Sequence, residues 1–129
     1  MRILVAEDDA DDRTLATLAF SELNSYHELE FVHDGQQLLD RLQAKLKAGA
    51  TLPDLVLLDL NMPRKDGRAA LKEMKQNTKL KDVDVIIFST SSAPEDVKYT
   101  LDLGAIKYYV KPSNYTQLLE VCRSISGEV

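Results

Sequence analysis

An α/β fold built on one doubly wound, five-stranded parallel sheet is the architecture this sequence predicts. Three observations carry it. Five short apolar runs alternate with five stretches whose apolar residues recur at helical spacing. The runs are unbroken rather than alternating, which marks strands buried on both faces. A length of 129 residues suits one domain with one core. Parallel neighbours need crossovers, and these are right-handed, so the helices cover both faces. The preferred strand order is 2-1-3-4-5, with strands one and three side by side at the switch point.

Residues 2–6 (Arg-Ile-Leu-Val-Ala) form the first strand, and Glu7-Asp8-Asp9 follow at once. A helical stripe at 15, 16, 19, 20 and 23 predicts a helix over 10–24. Asp9 suits its N-cap, and Asp11 and Asp12 favour its first turn. Residues 29–32 make a weaker strand ended by Asp34-Gly35. Leu38, Leu39, Leu42 and Leu46 mark the second helix, closed by Gly49 and Pro53, with a somewhat long exit over 43–52. The third strand, 55–59, runs apolar until Asp59 stops it; Pro63 and Gly67 then turn the chain. Ala70, Leu71 and Met74 predict a helix over 68–77. Residues 83–88 are the fourth strand, with Ser89, Thr90, Ser91 and Ser92 after it. Pro94, Glu95 and Asp96 open a helix that Gly104 stops. Residues 107–110 form the fifth strand, before Lys111-Pro112. Tyr115, Leu118, Leu119, Cys122 and Ile125 mark the last helix. There is no internal repeat and no linker long enough to divide the chain.

Hydrophobic content of 44% with 29% charged residues is an ordinary globular composition, not a disordered one. A net charge of −5 disfavours nucleic acid, since phosphate binding needs a basic face. No apolar segment is long enough to span a bilayer, and Glu7 interrupts any signal-peptide core. Cys122 has no second cysteine to pair with, which fits a reducing, cytoplasmic compartment.

Four of the five strands end in chemistry: Glu7-Asp8-Asp9, Asp59, Ser89-Thr90 and Lys111. In this fold those ends meet at one edge of the sheet. Two carboxylates roughly 4 Å apart repel by about 4 kcal/mol at an effective dielectric near 20. Three would raise their own pKa values or recruit a cation, and hard oxygen donors favour Mg²⁺ or a similar ion. Each group also has a plainer reading. An acidic triplet can be an N-cap with dipole-favoured charges, and Asp59 can simply initiate a turn. The serines can be a polar loop, and Lys111 a surface charge. What favours the site is that all four occur at the same end of a strand.

On these residues the chain resembles a bacterial response-regulator receiver domain, the phosphoacceptor of two-component signalling. The matching features are Glu7-Asp8, Asp59 within Asp-Leu-Asn-Met-Pro, Asp66-Gly67, Ser89 and Lys111-Pro112. The spacings from Asp59 to Ser89 and to Lys111 are usual for the family, and the resemblance spans essentially the whole chain. It also implies the 2-1-3-4-5 order, which belongs to this CheY-like fold, so the topology is not drawn from the apolar pattern alone.

The resemblance implies the following roles. Asp59 takes a phosphoryl group from a kinase phosphohistidine. Asp8 and Asp59 bind Mg²⁺ directly, with Mn²⁺ a second candidate; Glu7 binds through water and Asn61 through its backbone carbonyl. Lys111 neutralises charge on the phosphoryl oxygens. Ser89 bonds a phosphoryl oxygen in the activated state, Thr90 borders the site, and Asn61 and Ser91 tune hydrolysis. Lys111-Pro112 is expected to be a cis peptide. Tyr108 stands at the family's switch aromatic, filling space vacated when Ser89 moves; the alternative is a strand aromatic packed on the neighbouring helix. Tyr109 then faces the opposite side, as a core residue. His27 and His33 lie away from the acids, and Cys122 suits burial as a small hydrophobe.

The expected function is a phosphoacceptor switch without an output domain, since the chain stops just after the fifth helix. It would signal through the face of helix four, strand five and helix five. Its partners would be a histidine kinase, then a downstream protein or a histidine phosphotransfer protein in a phosphorelay, with a homodimer through that face as a further option. The long 43–52 connection resembles regulators paired with phytochrome-type or hybrid kinases. A Mg²⁺-dependent phosphatase of the haloacid-dehalogenase type is the enzymatic alternative, but it needs an acid where Asn61 stands. A flavodoxin-like carrier needs a phosphate-cradling loop where Glu7-Asp8-Asp9 would repel one. A degenerate receiver would lack one of these side chains, and all are present.

Overall fold

In the computed structural model, residues 1–23 and 27–127 are described. Strands and helices alternate as β1 (Arg2–Ala6), α1 (Ala10–Leu23), β2 (Glu28–Val32), α2 (Gly35–Ala48), β3 (Leu55–Leu58), α3 (Gly67–Gln76), β4 (Asp84–Ser89), α4 (Pro94–Leu103), β5 (Lys107–Val110) and α5 (Tyr115–Gly127). The strands form one parallel sheet in the order β2-β1-β3-β4-β5. Ile3 of β1 lies opposite both Leu29 of β2 and Leu55 of β3, and Ile87 of β4 opposite Tyr108 of β5.

Strand alternation divides the core between the two faces. Leu4, Ala6, Val56, Leu58, Val85 and Ile87 pack with Leu38 and Leu42 of α2 and with Ala70, Leu71 and Met74 of α3. Ile3, Val5, Leu55, Leu57 and Ile86 turn the other way, onto Ala19 and Phe20 of α1 and Leu118, Cys122 and Ile125 of α5. β3 is buried along its length because both layers cover it, which is why its sequence shows no polar alternation.

Element ends differ from the pattern where a cap or a ladder bond decides them. Strand two starts at Glu28, whose N–H donates to the Met1 carbonyl (2.9 Å). Asp34 does more than end that strand. Its carboxylate accepts from the Gln37 N–H (2.8 Å) and caps α2, which starts at Gly35, ahead of the apolar stripe. The 43–52 stretch becomes the end of α2, a left-handed Gly49 cap and an open connection. Ser89 belongs to β4 rather than to the loop, because it pairs with Val110 and its carbonyl accepts from the Lys111 N–H (2.8 Å). Asp66 caps α3 through the Ala69 N–H (3.1 Å), so that helix opens one residue early and Asn77 becomes its C-cap. α5 runs on to Gly127. The predicted end of the first helix at Asn24 lies outside the described residues.

Candidate functional site

β1 and β3 carry their chains side by side to the carboxyl edge of the sheet. The ladder continues one step beyond the strands: the Asp59 N–H donates to the Ala6 carbonyl (3.1 Å), and the Glu7 N–H to the Val32 carbonyl (2.9 Å). This sets two acids on adjacent strand tips. Beyond Asp59 the chain is pinned by apolar side chains at alternate positions, Leu60 and Met62, both buried, while Asn61 between them is exposed. The loop then folds back until the Gly67 N–H meets the Leu60 carbonyl (2.9 Å). A Cβ at Gly67 would lie 2.2 Å from the Asp59 carbonyl oxygen, so only glycine allows this approach.

Glu7, Asp8 and Asp59 each offer a carboxylate oxygen, and all three oxygens lie within 4.8 Å of one another. Glu7 and Asp59 are 5% and 6% exposed, while Asp8 reaches solvent. The Lys111 ammonium enters from the far side of the sheet. It donates to Glu7 Oε1, to Asp12 Oδ2 (2.9 Å) and to Asp59 Oδ2 (3.1 Å). Asp59 Oδ1 accepts from the Asn61 N–H (3.3 Å).

Burial pushes the Glu7 carboxyl up to about 7; the Lys111 bond pulls the other way, and the charge of Asp59 adds to the push. For Lys111, burial opposes the charge, but the bonds to Glu7 and Asp12 and the field of Asp59 outweigh it and hold the ammonium above the usual lysine range. The Lys111–Pro112 peptide is trans, correcting the cis expectation. The trans bond is the ordinary preference of an X-Pro peptide, and the lysine arm reaches Asp59 with it.

Ser89, Thr90 and Tyr108 lie on the β4–β5 side. Ser89 is fully buried and its Oγ accepts from the Ser91 N–H (3.3 Å), while Thr90 is exposed. Ser91 is the hub of a network absent from the sequence reading. Its Oγ donates to Asp96 Oδ2 (2.6 Å), and its carbonyl accepts from the Tyr108 hydroxyl (2.7 Å). Asp96 is gripped by Arg68 of α3 through two bonds of 2.7 Å. Arg68 and, second, Ser91 hold the Asp96 carboxyl down at about 2. Tyr108 packs on the α2–α3 face and Tyr109 on the α1–α5 face. Tyr109 is only half-buried, because β5 is an edge strand.

Neither histidine joins the acids. His27 packs edge-on to Phe20 and faces Ser126 Oγ (3.2 Å), and His33 is exposed. Cys122 is buried, and burial pushes its thiol up to about 12. Asp12 is the site residue that sequence reasoning missed. Its place in a helical first turn gave it a sufficient reason of another kind.

Three hard-oxygen acids against a single ammonium leave uncompensated negative charge in a half-buried pocket. That donor set fits a divalent cation. An acid pocket faced by one lysine, at the carboxyl edge of a 2-1-3-4-5 sheet, defines a signalling phosphoacceptor module rather than a flavin carrier. The family model described as "Response regulator receiver domain" matches residues 3–123, and the chain belongs to that family. Response regulator Rcp1 of Synechocystis (strain PCC 6803) is 35% identical over 97% of this chain and 86% of its own length. The crystal structure of the phosphorylated cyanobacterial phytochrome response regulator RcpA superposes with a TM-score of 0.88, at 37% identity over 97% of this chain and 90% of that one. The Mn²⁺-bound form of Rcp1 superposes with a TM-score of 0.87, at 34% identity over 98% and 91%. The protein is a receiver, a signalling switch, and the phosphatase alternative is not favoured. Among the described residues, no helix is long and apolar enough to cross a membrane.

Proposed function

We propose that Asp59 is the phosphoacceptor of this receiver. One observation carries the assignment: the Lys111 ammonium stands 3.1 Å from Asp59 Oδ2, beside Glu7 and Asp8. An Asp59 carboxylate oxygen attacks the phosphorus of a phosphohistidine, the P–N bond breaks, and the imidazole leaves with the electron pair. Lys111 then supplies positive charge to the phosphoryl oxygens, the main lever available to a protein in such a transfer. Asp8 and Asp59, Glu7 through water, and the Asn61 carbonyl would hold Mg²⁺ or Mn²⁺. That ion would neutralise charge on the transferred group.

Ser89 is the candidate for a phosphoryl contact in the activated state, with Thr90 at the border and Asn61 and Ser91 modulating hydrolysis. Tyr108 is the candidate switch. Its hydroxyl is tied to the Ser91 carbonyl, so a shift of the Ser89–Ser91 backbone bears directly on the ring. The surface that reads this shift is α4–β5–α5, where Leu101, Ile106 and Val110 are exposed. A downstream protein, a phosphotransfer protein or a second copy would dock there. The likeness to a phytochrome response regulator supports a kinase of that class as the phosphoryl source.

Incubation with acetyl phosphate and Mg²⁺ tests the assignment. Wild type is expected to gain one base-labile phosphoryl group; Asp59→Asn is expected to gain none, and Lys111→Ala far less. Equal modification of Asp59→Asn overturns it.

A further inference from the structure

The geometry points to Asp12 as a positioning residue for phosphoryl transfer: it anchors Lys111 so that one N–H of the ammonium stays aimed at Asp59. This rests on Asp59 being the phosphoacceptor. The ammonium has three donor hydrogens and three carboxylate acceptors, namely Glu7, Asp12 and Asp59. Two of those acceptors, Glu7 and Asp59, belong to the oxygen cluster that fits a cation; Asp12 does not. A cation entering that cluster competes with the lysine for Glu7 and Asp59 and leaves Asp12 untouched. Once Asp59 carries a phosphoryl group, its carboxylate can no longer hold the lysine as before. Asp12 is then the acceptor that persists through the whole cycle.

Asp12 is itself well placed to anchor. Its N–H donates to Asp9 Oδ1 (3.0 Å), which fixes it in the first turn of α1. Arg13 Nη1 donates to the Glu7 carbonyl (3.0 Å), which ties that turn to the tip of β1. The lysine side chain is 11% exposed and that of Asp12 is 39% exposed, so Asp12 holds the ammonium from the solvent side of the pocket. With Asp12 holding one donor throughout, the ammonium keeps its place beside the strand tip where the phosphoryl group arrives, even where a cation draws Glu7 away. The contribution is directional, and misaimed groups cost rate rather than binding.

Asp11 provides the control, being a neighbouring acid in the same helical turn with equal claim on the helix dipole. Phosphorylation by acetyl phosphate with Mg²⁺ is compared in wild type, Asp11→Ala and Asp12→Ala. Asp12→Ala is expected to lower the saturating rate on the order of tenfold while leaving half-saturating donor and Mg²⁺ concentrations unchanged. Asp11→Ala is expected to match wild type in rate. In the metal-free protein, the exchange-protected ¹⁵N–¹H ammonium signal of Lys111 should persist in Asp11→Ala and vanish in Asp12→Ala. An Asp12→Ala variant that reacts at the wild-type rate, or an Asp11→Ala variant equally slowed, overturns the anchoring role. If the wild type itself takes no phosphoryl group at Asp59, the proposed function has failed instead.

Discussion

Asp59 owes its setting to two residues that carry no charge, Leu60 and Gly67. Leu60 is buried and fixes the backbone just past the carboxylate; Gly67 lets the start of α3 press against the Asp59 carbonyl. Gly67→Ala is therefore expected to destabilise the fold by about 2 kcal/mol or more, since the contact is backbone and cannot yield. Gly49→Ala serves as the contrast. Its φ is +66° but nothing lies within 4 Å of an added Cβ, so only left-handed strain is felt, about 1 kcal/mol. Urea denaturation of the two variants checks both values. The same two glycines show what could be read in advance. Asp66-Gly67 is recognisable from its resemblance to a receiver, but the Cβ clash that demands glycine needs the folded loop. Glu7, Asp8, Asp59 and Lys111 were legible because each ends an apolar run. Asp12 was not, because a helical first turn already accounts for an acid.

At the level of elements, the contact that joins α3, the β4–α4 loop and β5 runs through Arg68, Asp96, Ser91 and Tyr108. No periodicity announces it: Arg68 and Asp96 lie 28 positions apart and Tyr108 and Ser91 17 apart, and the family resemblance marks Ser91 and Tyr108 singly without joining them to Arg68 and Asp96. Strand order, by contrast, follows from the run of strands and crossovers together with the family resemblance. Tyr108→Phe removes one buried-side hydrogen bond and is expected to cost about 1 kcal/mol. It should leave Asp59 modifiable while loosening the link from pocket to α4–β5–α5. Asp96 supplies a pH signature. Its carboxyl sits at about 2 in the folded chain, below the ordinary carboxylate value, so the pair stabilises fully above about pH 4 and that stability is lost as pH falls toward 2. Chemical denaturation of wild type and Asp96→Asn across that range should converge at the acid end. A difference that stays constant with pH would remove the ion pair from the account.

Taken as a whole, the molecule is a single parallel sheet covered by helices on both faces, with its unbalanced charge at the carboxyl edge. That edge should make cation binding depend on pH. Glu7 is pushed up to about 7 by burial, so protonation competes with a divalent ion as pH drops through that value. Mg²⁺ affinity measured by calorimetry is expected to weaken below pH 7 in wild type, and Glu7→Gln should bind more weakly and lose much of that dependence. The proposed output surface around α4, β5 and α5 is reached from the pocket through the Ser91 network and through β5, whose end leads directly into Lys111. All of this depends on where the phosphoryl group lands. Borohydride reduction of the phosphorylated chain, followed by peptide mass spectrometry, converts the acyl phosphate to homoserine at the position that carried it. Homoserine at position 59, dependent on Mg²⁺ and on the phosphoryl donor, is the expected result. Homoserine at Asp8, at Asp12 or at any other acid would contradict the assignment.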